Sequence, residues 1–172
     1  MKDRLLKHKK IIIVILALLL LLVIFWDSLS FESGNNDAEK TAVIFVEHML
    51  DGKAEKCTSL MHDDLIDVAG YETKKLFINA FEKKLDSMID NYKDKYGRIW
   101  SYDVRIIDSF NVDVYDAVDY SPQYTEEGAV VKVVLEIEHK GGGLFKDKEG
   151  TDEISLIMVY YNGEWLVYDF PF

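Results

Sequence analysis

The hydrophobic pattern changes period three times along the chain. Residues 11–26, IIIVILALLLLLVIFW, are apolar without a break, follow Lys7, Lys9 and Lys10, and stop at the Trp26–Asp27 boundary. As a helix they rise about 24 Å, a little short of a hydrocarbon core of roughly 30 Å, and lysine snorkelling with Trp26 at the interface closes the gap. This predicts a transmembrane anchor over 11–26 behind a basic leader, residues 1–10. Ser28 and Ser30 have the small-residue spacing that a signal peptidase needs, so the alternative is cleavage and secretion of a chain beginning at Phe31. In both cases the leader's positive charge keeps the N-terminus in the cytoplasm and sends the remainder across the membrane.

Residues 27–36, DSLSFESGNN, are small, polar and aperiodic, as in a tether. From Asp37, a candidate N-cap, Ala42, Phe45, Val46, Met49 and Leu50 recur at helical spacing until Gly52. A short second helix is expected over 54–62, then an irregular stretch through Leu65, Val68 and Gly70. Thr73 caps a long helix whose stripe holds Leu76, Phe77, Ala80, Phe81, Leu85, Met88, Ile89, Tyr92 and Tyr96, with Gly97 as the stop.

Beyond Gly97 the period falls to two. Trp100, Tyr102, Val104 and Ile106 alternate, and Phe110, Val112 and Val114 continue them as one bent strand or a new one. Val131, Val133, Leu135 and Ile137 line one face of a strand, and Ile154, Leu156, Met158 and Tyr160 line a face of the next. Asn162-Gly163 predicts a type I′ hairpin into a last strand over about 164–170. Helices followed by a strand meander define an α+β domain over 37–172, with helices on one face of a curved antiparallel sheet.

Charge narrows the partners. The chain holds 20 Lys/Arg and 31 Asp/Glu; the first ten residues take five and one, leaving 15 and 30 for residues 11–172. A body of net charge −15 repels phosphate backbones, so no nucleic-acid partner is expected. Cys57, the single cysteine, cannot form an intrachain disulfide and reads as a small buried hydrophobe on a helix.

The "DGKAEKC" turn after the opening helix, the passage "YGRIWSYDV" and the closing hairpin "SLIMVYYNGEWLVYDF" resemble the nuclear transport factor 2-like superfamily, also called SnoaL-like or cystatin-like cones. The resemblance spans roughly residues 38–170 and implies a cone-like domain. That fold hosts many activities and is nearly silent on which one is present. An anchor ahead of such a domain is similar to the VirB-type assembly factors of secretion and conjugation machines. It is also similar to the membrane-proximal domain of some penicillin-binding proteins, and since the chain stops where a transpeptidase would start, that comparison implies no enzymatic domain.

Enzymes of the superfamily bury a His or Asp in the cone, which makes His62, Asp67 and Tyr71, with Asp63 and Asp64, the pocket candidates. The expectation is a polar helix end with no catalytic residue, because a general base needs burial or a partner to bring its pKa near working pH. Asn111, Asp113, Asp116 and Asp119 lack the spacing and glycine of an EF-hand loop, and His48 and His139 propose no zinc, so no metal or cofactor is implied. Gly141-Gly142-Gly143 has no Walker flanks and reads as a free hairpin loop. It presents Leu144 and Phe145 as a contact pair for a partner. The functional expectation is a non-catalytic binding or assembly module at the outer face of a bacterial cytoplasmic membrane. It would take a protein partner or a small apolar ligand; the alternative is an exported enzyme using the His62–Tyr71 region.

Overall fold

The computed structural model describes residues 36–112, 130–142 and 148–171. The anchor expected over 11–26 and the Leu144–Phe145 pair lie outside them, as do Asp113, Asp116 and Asp119. Among the described residues no helix is long and apolar enough to cross a membrane.

Helix α1 covers residues 36–50 and buries Ala38, Ala42, Phe45, Val46, Met49 and Leu50, an i, i+4, i+7, i+8 stripe. Asp37 is not the residue before the helix but sits in its first turn. Its carboxylate accepts a hydrogen bond from Lys40 Nζ at 3.1 Å, and its carbonyl accepts one from Thr41 Oγ1. Helix α2 is Ala54–Ser59. Cys57 lies in it fully buried, its Sγ 3.8 Å from the Phe45 carbonyl oxygen, and burial pushes its thiol pKa up to about 12. That fits the packing role expected of it.

The stretch expected to be irregular contains a further helix, α3, Asp63–Val68. One buried residue, Ile66, holds it to the core, too little to give six residues a readable period. Helix α4, Lys74–Tyr96, starts where expected, at Thr73, whose Oγ1 accepts from the Leu76 backbone N–H at 3.3 Å. We expect Thr73→Ala to lower stability by about 1 kcal/mol in denaturant titrations, the usual loss for a removed N-cap. Phe77, Phe81, Leu85 and Tyr96 are the buried members of the α4 stripe, whereas Leu76 is 47% exposed. Leu76 precedes Phe77 by one residue, or about 100° of helical rotation, and so turns off the buried face.

Four strands follow: β1, Ile99–Asn111; β2, Val130–Gly142; β3, Lys148–Tyr161; and β4, Glu164–Asp169. They form one antiparallel sheet in the order β1-β2-β3-β4. β1 is a single strand with an irregularity between Ile106 and Asp108; the extra residue exchanges its faces, so that Ile106 opposes Leu135 while Ser109 opposes Val133. β3 and β4 are joined by Asn162 and Gly163, both at positive φ (53° and 91°), as a type I′ turn requires.

The inward faces of β2 and β3, Val131, Val133, Leu135, Ile137, Ile154, Leu156 and Met158, join the buried faces of α1, α2 and α4 in one core. A smaller cluster on the opposite sheet face gathers Val130 and Val159 with Val112, Ile157, Leu166 and Tyr168. Among the described residues the α+β architecture is therefore four helices and an open four-stranded antiparallel sheet. Gly141 and Gly142 are strand residues rather than a free loop. A Cβ on Gly141 would stand 2.0 Å from the Tyr96 carbonyl oxygen, so the end of α4 lies directly on this part of β2.

Candidate functional site

The three pocket candidates separate. Residues 60–62 run beside β4: the His62 N–H donates to the Val167 carbonyl and the Val167 N–H to the Leu60 carbonyl, both at 2.8 Å. Met61 and Val167 pair in parallel and both face the main core. Their neighbours His62 and Tyr168 consequently fall on the other sheet face, where the His62 ring lies 5.7 Å from Tyr168 and 4.9 Å from Tyr161. His62 is buried and caps α3, its Nδ1 accepting the Asp64 N–H at 3.2 Å. Asp67 is an exposed residue of α3. Tyr71 lies at a cavity, with its ring edge-on to Phe77 at 5.7 Å.

That cavity is a cleft of about 320 Å³ lined by Leu65, Ala69, Tyr71, Phe77, Ala80, Phe81, Lys84, Asp169 and Phe170. Its back wall is a run of rings: Phe77 stacks on Phe81 at 5.7 Å, Phe81 meets Phe170 edge-on at 6.1 Å, and Phe170 meets Phe45 edge-on at 5.1 Å. Ala69 and Ala80 line the same cleft with single methyl groups. The volume falls at the lower end of small-molecule sites, which are apolar concavities with a few polar groups. Here Lys84 and Asp169 are the charged members. The α4 stripe contained Phe77, Ala80 and Phe81, but α3 and the C-terminal segment that close the cleft carry no local signal for it.

A second constellation surrounds His139, which sequence spacing had set aside. His139 continues the inward series of β2 and is 1% exposed. Its ring packs against Tyr92 at 4.4 Å and Tyr96 at 4.8 Å, neighbouring rings of α4, with Trp100 of β1 at 5.8 Å. Trp100 Nε1–H donates to Nδ1 at 3.1 Å, so the neutral ring carries its proton on Nε2. That nitrogen stands 3.1 Å from Asp152 Oδ2, bent out of hydrogen-bond alignment. Desolvation lowers the imidazole pKa against the opposing pull of Asp152, and Lys95 adds to the lowering. Burial, with Asp152 second, pushes the Tyr92 phenol up to about 12. Buried among these rings, the imidazole serves the packing of α4 on the sheet.

Near β1, the Tyr102 hydroxyl donates to Asp51 Oδ1. This bond and the Lys53 ammonium, the larger influence, hold the Asp51 carboxyl below its ordinary range. Asn111, the one calcium candidate within the structure, is an exposed end of β1. No group of three His, Cys, Asp or Glu among the described residues is placed to hold a metal ion. Compared with known proteins, the chain matches no family model, no curated protein and no solved structure.

Proposed function

We propose that the chain is a membrane-anchored, extracytoplasmic binding module that holds a small apolar ligand, or the apolar side chain of a protein partner, in the Tyr71 cleft without turning it over. The observation that carries this reading is the cleft's composition: aromatic rings and two alanines, with one lysine and one aspartate. The His62 ring, the strongest acid-base candidate of the region, already accepts the Asp64 N–H and faces away from the helix layer. Helices preceding a meander and covering one sheet face also support a cone-like, nuclear transport factor 2-like domain. The run 11–26 supports the anchor.

Binding is tested with the aromatic anion 8-anilinonaphthalene-1-sulfonate on a chain starting at Asn36. Saturable fluorescence is expected, and Ala80→Trp, which fills the cleft, should weaken it at least about tenfold, roughly 1.4 kcal/mol. Equal binding by the filled variant would remove the cleft from the proposal. For location, a reporter fused after Phe172 should be active only outside the cytoplasm, with the protein in the membrane fraction. Recovery of a soluble chain beginning at Phe31 would establish the cleaved alternative.

A further inference from the structure

Strand β1 forms one border of the sheet, and among the described residues no strand pairs with its outer side. It is 13 residues long, and Ile106 and Ile107 on it are exposed. A long border strand with apolar side chains is a template for a further strand unless charge, proline or a bulge blunts it. The bulge at Ile107 blunts the C-terminal half. Residues 101–106 remain regular and contain no proline.

The charges on this regular part are arranged as their own complement. Asp103 and Arg105 flank Val104 on the sheet face away from the helices. Within the chain Arg105 pairs with Glu136 and Glu138 of β2. Asp103 is directly opposite Glu138, a like charge, and makes no salt bridge among the described residues. Like charges directly opposed across strands are destabilising, and opposite ones favourable.

We propose that two copies of this chain associate by antiparallel pairing of β1 with β1 about a twofold axis at Val104. In that register Asp103 of each copy faces Arg105 of the other, and Tyr102 faces Ile106. Antiparallel partners share a face, so the two sheets continue as one of eight strands with all helices on the same side. The interface is isologous: one surface serves both copies, and closing the pair leaves β1 with no open border to recruit a third. The same backbone pairing could be made by an extended peptide of another protein, but the Asp103–Arg105 alternation is self-complementary and favours a second copy. The proposal stands apart from the cleft and from any ligand in it.

The test is sedimentation velocity on the full chain in a density-matched detergent, over a range of protein concentrations. Wild-type protein should show a concentration-dependent dimer. Arg105→Asp or Asp103→Arg alone turns two symmetry-related attractions into repulsions and should raise the dimer Kd by roughly tenfold to a hundredfold. The double variant Asp103→Arg with Arg105→Asp restores complementarity and should recover the dimer. Arg105→Asp also removes pairs inside the chain, so Asp103→Arg, which places a cation opposite Glu138, is the reversal that leaves the fold's own ion pairs in place. A monomer at every concentration overturns the proposal. So does a dimer indifferent to the single reversals, which would place association on the N-terminal segment or another surface. A folded double variant that stays monomeric overturns it equally.

Discussion

Gly141→Ala is expected to destabilise the protein by about 3 kcal/mol or more and to lower its melting temperature by about 10 °C, although it adds only one methyl group. That methyl carbon would stand 2.0 Å from the Tyr96 carbonyl oxygen, 2.6 Å from its carbonyl carbon and 2.8 Å from its Cβ. Two of these atoms are backbone, so no rotamer change relieves the overlap, and the end of α4 must lift from β2. Lifting it separates Tyr92 and Tyr96 from His139 and exposes a buried ring. Gly150→Ala is the graded comparison. Its new methyl meets Tyr96 Oη at 2.5 Å and Cε1 at 2.9 Å, the far end of a side chain that can tilt. Its loss should be smaller, on the order of 1–2 kcal/mol. Thermal unfolding followed by circular dichroism ranks the two; equal melting temperatures for Gly141→Ala and wild type would show that α4 does not rest on β2 in this way.

This contact also marks where sequence reading stops. Period-3.6 and period-2 stripes carried the long helices and the faces of β2, β3 and of β1 as far as Ile106, because in those segments the pattern follows the buried face. Beyond Ile106 the bulge exchanges the faces of β1 and sends Val112 to the other side. The alternation Val131, Val133, Leu135, Ile137 even pointed to His139 as the next inward position. Its meaning stayed hidden because Tyr92, Tyr96 and Trp100, the rings that enclose it, come from other elements some 40 residues away in the chain. The three glycines suggested a free loop for a related reason. Conformational freedom is a local property of glycine, whereas the need for an absent side chain at Gly141 arises only once α4 arrives. Helix α3 was too short to show a period, and the cleft forms only where Leu65 of α3 and Asp169 and Phe170, distant from each other in the chain, meet the α4 face of Phe77, Ala80 and Phe81. His62, read toward a pocket, went to the other sheet face because residues 60–62 hydrogen-bond to β4 and inherit its alternation.

Stability should fall as pH drops below about 6.5, and His139 should be responsible. The groups facing its ring are Asp152 from β3, Tyr92, Tyr96 and Lys95 from α4, and Trp100 from β1. Protonating Nδ1 would set two N–H donors against each other, since the Trp100 indole can only donate. The folded imidazole pKa is lowered from 6.5, with burial the larger cause. Between the folded value and 6.5 the unfolded chain therefore binds more protons than the folded one, and stability rises with pH there. The contribution is fully present above 6.5 and is lost as pH falls through the folded value, at no more than about 1.4 kcal/mol per pH unit. Asp51, held below 3.8, adds its own loss only in stronger acid, so denaturant titrations from pH 7.5 to 4.5 isolate the histidines. His48 is also lowered, by burial and then by Lys56 and Lys53, and His48→Gln measures its share. His139→Gln keeps an acceptor for Trp100 but cannot titrate. It should cost about 1–3 kcal/mol at pH 7.5 through imperfect replacement of the buried contacts, and it should leave a nearly flat profile down to pH 4.5. A His139→Gln profile as steep as wild type, with His48→Gln flattening it instead, would assign the pH response to the opening helix rather than to the ring stack between α4 and the sheet.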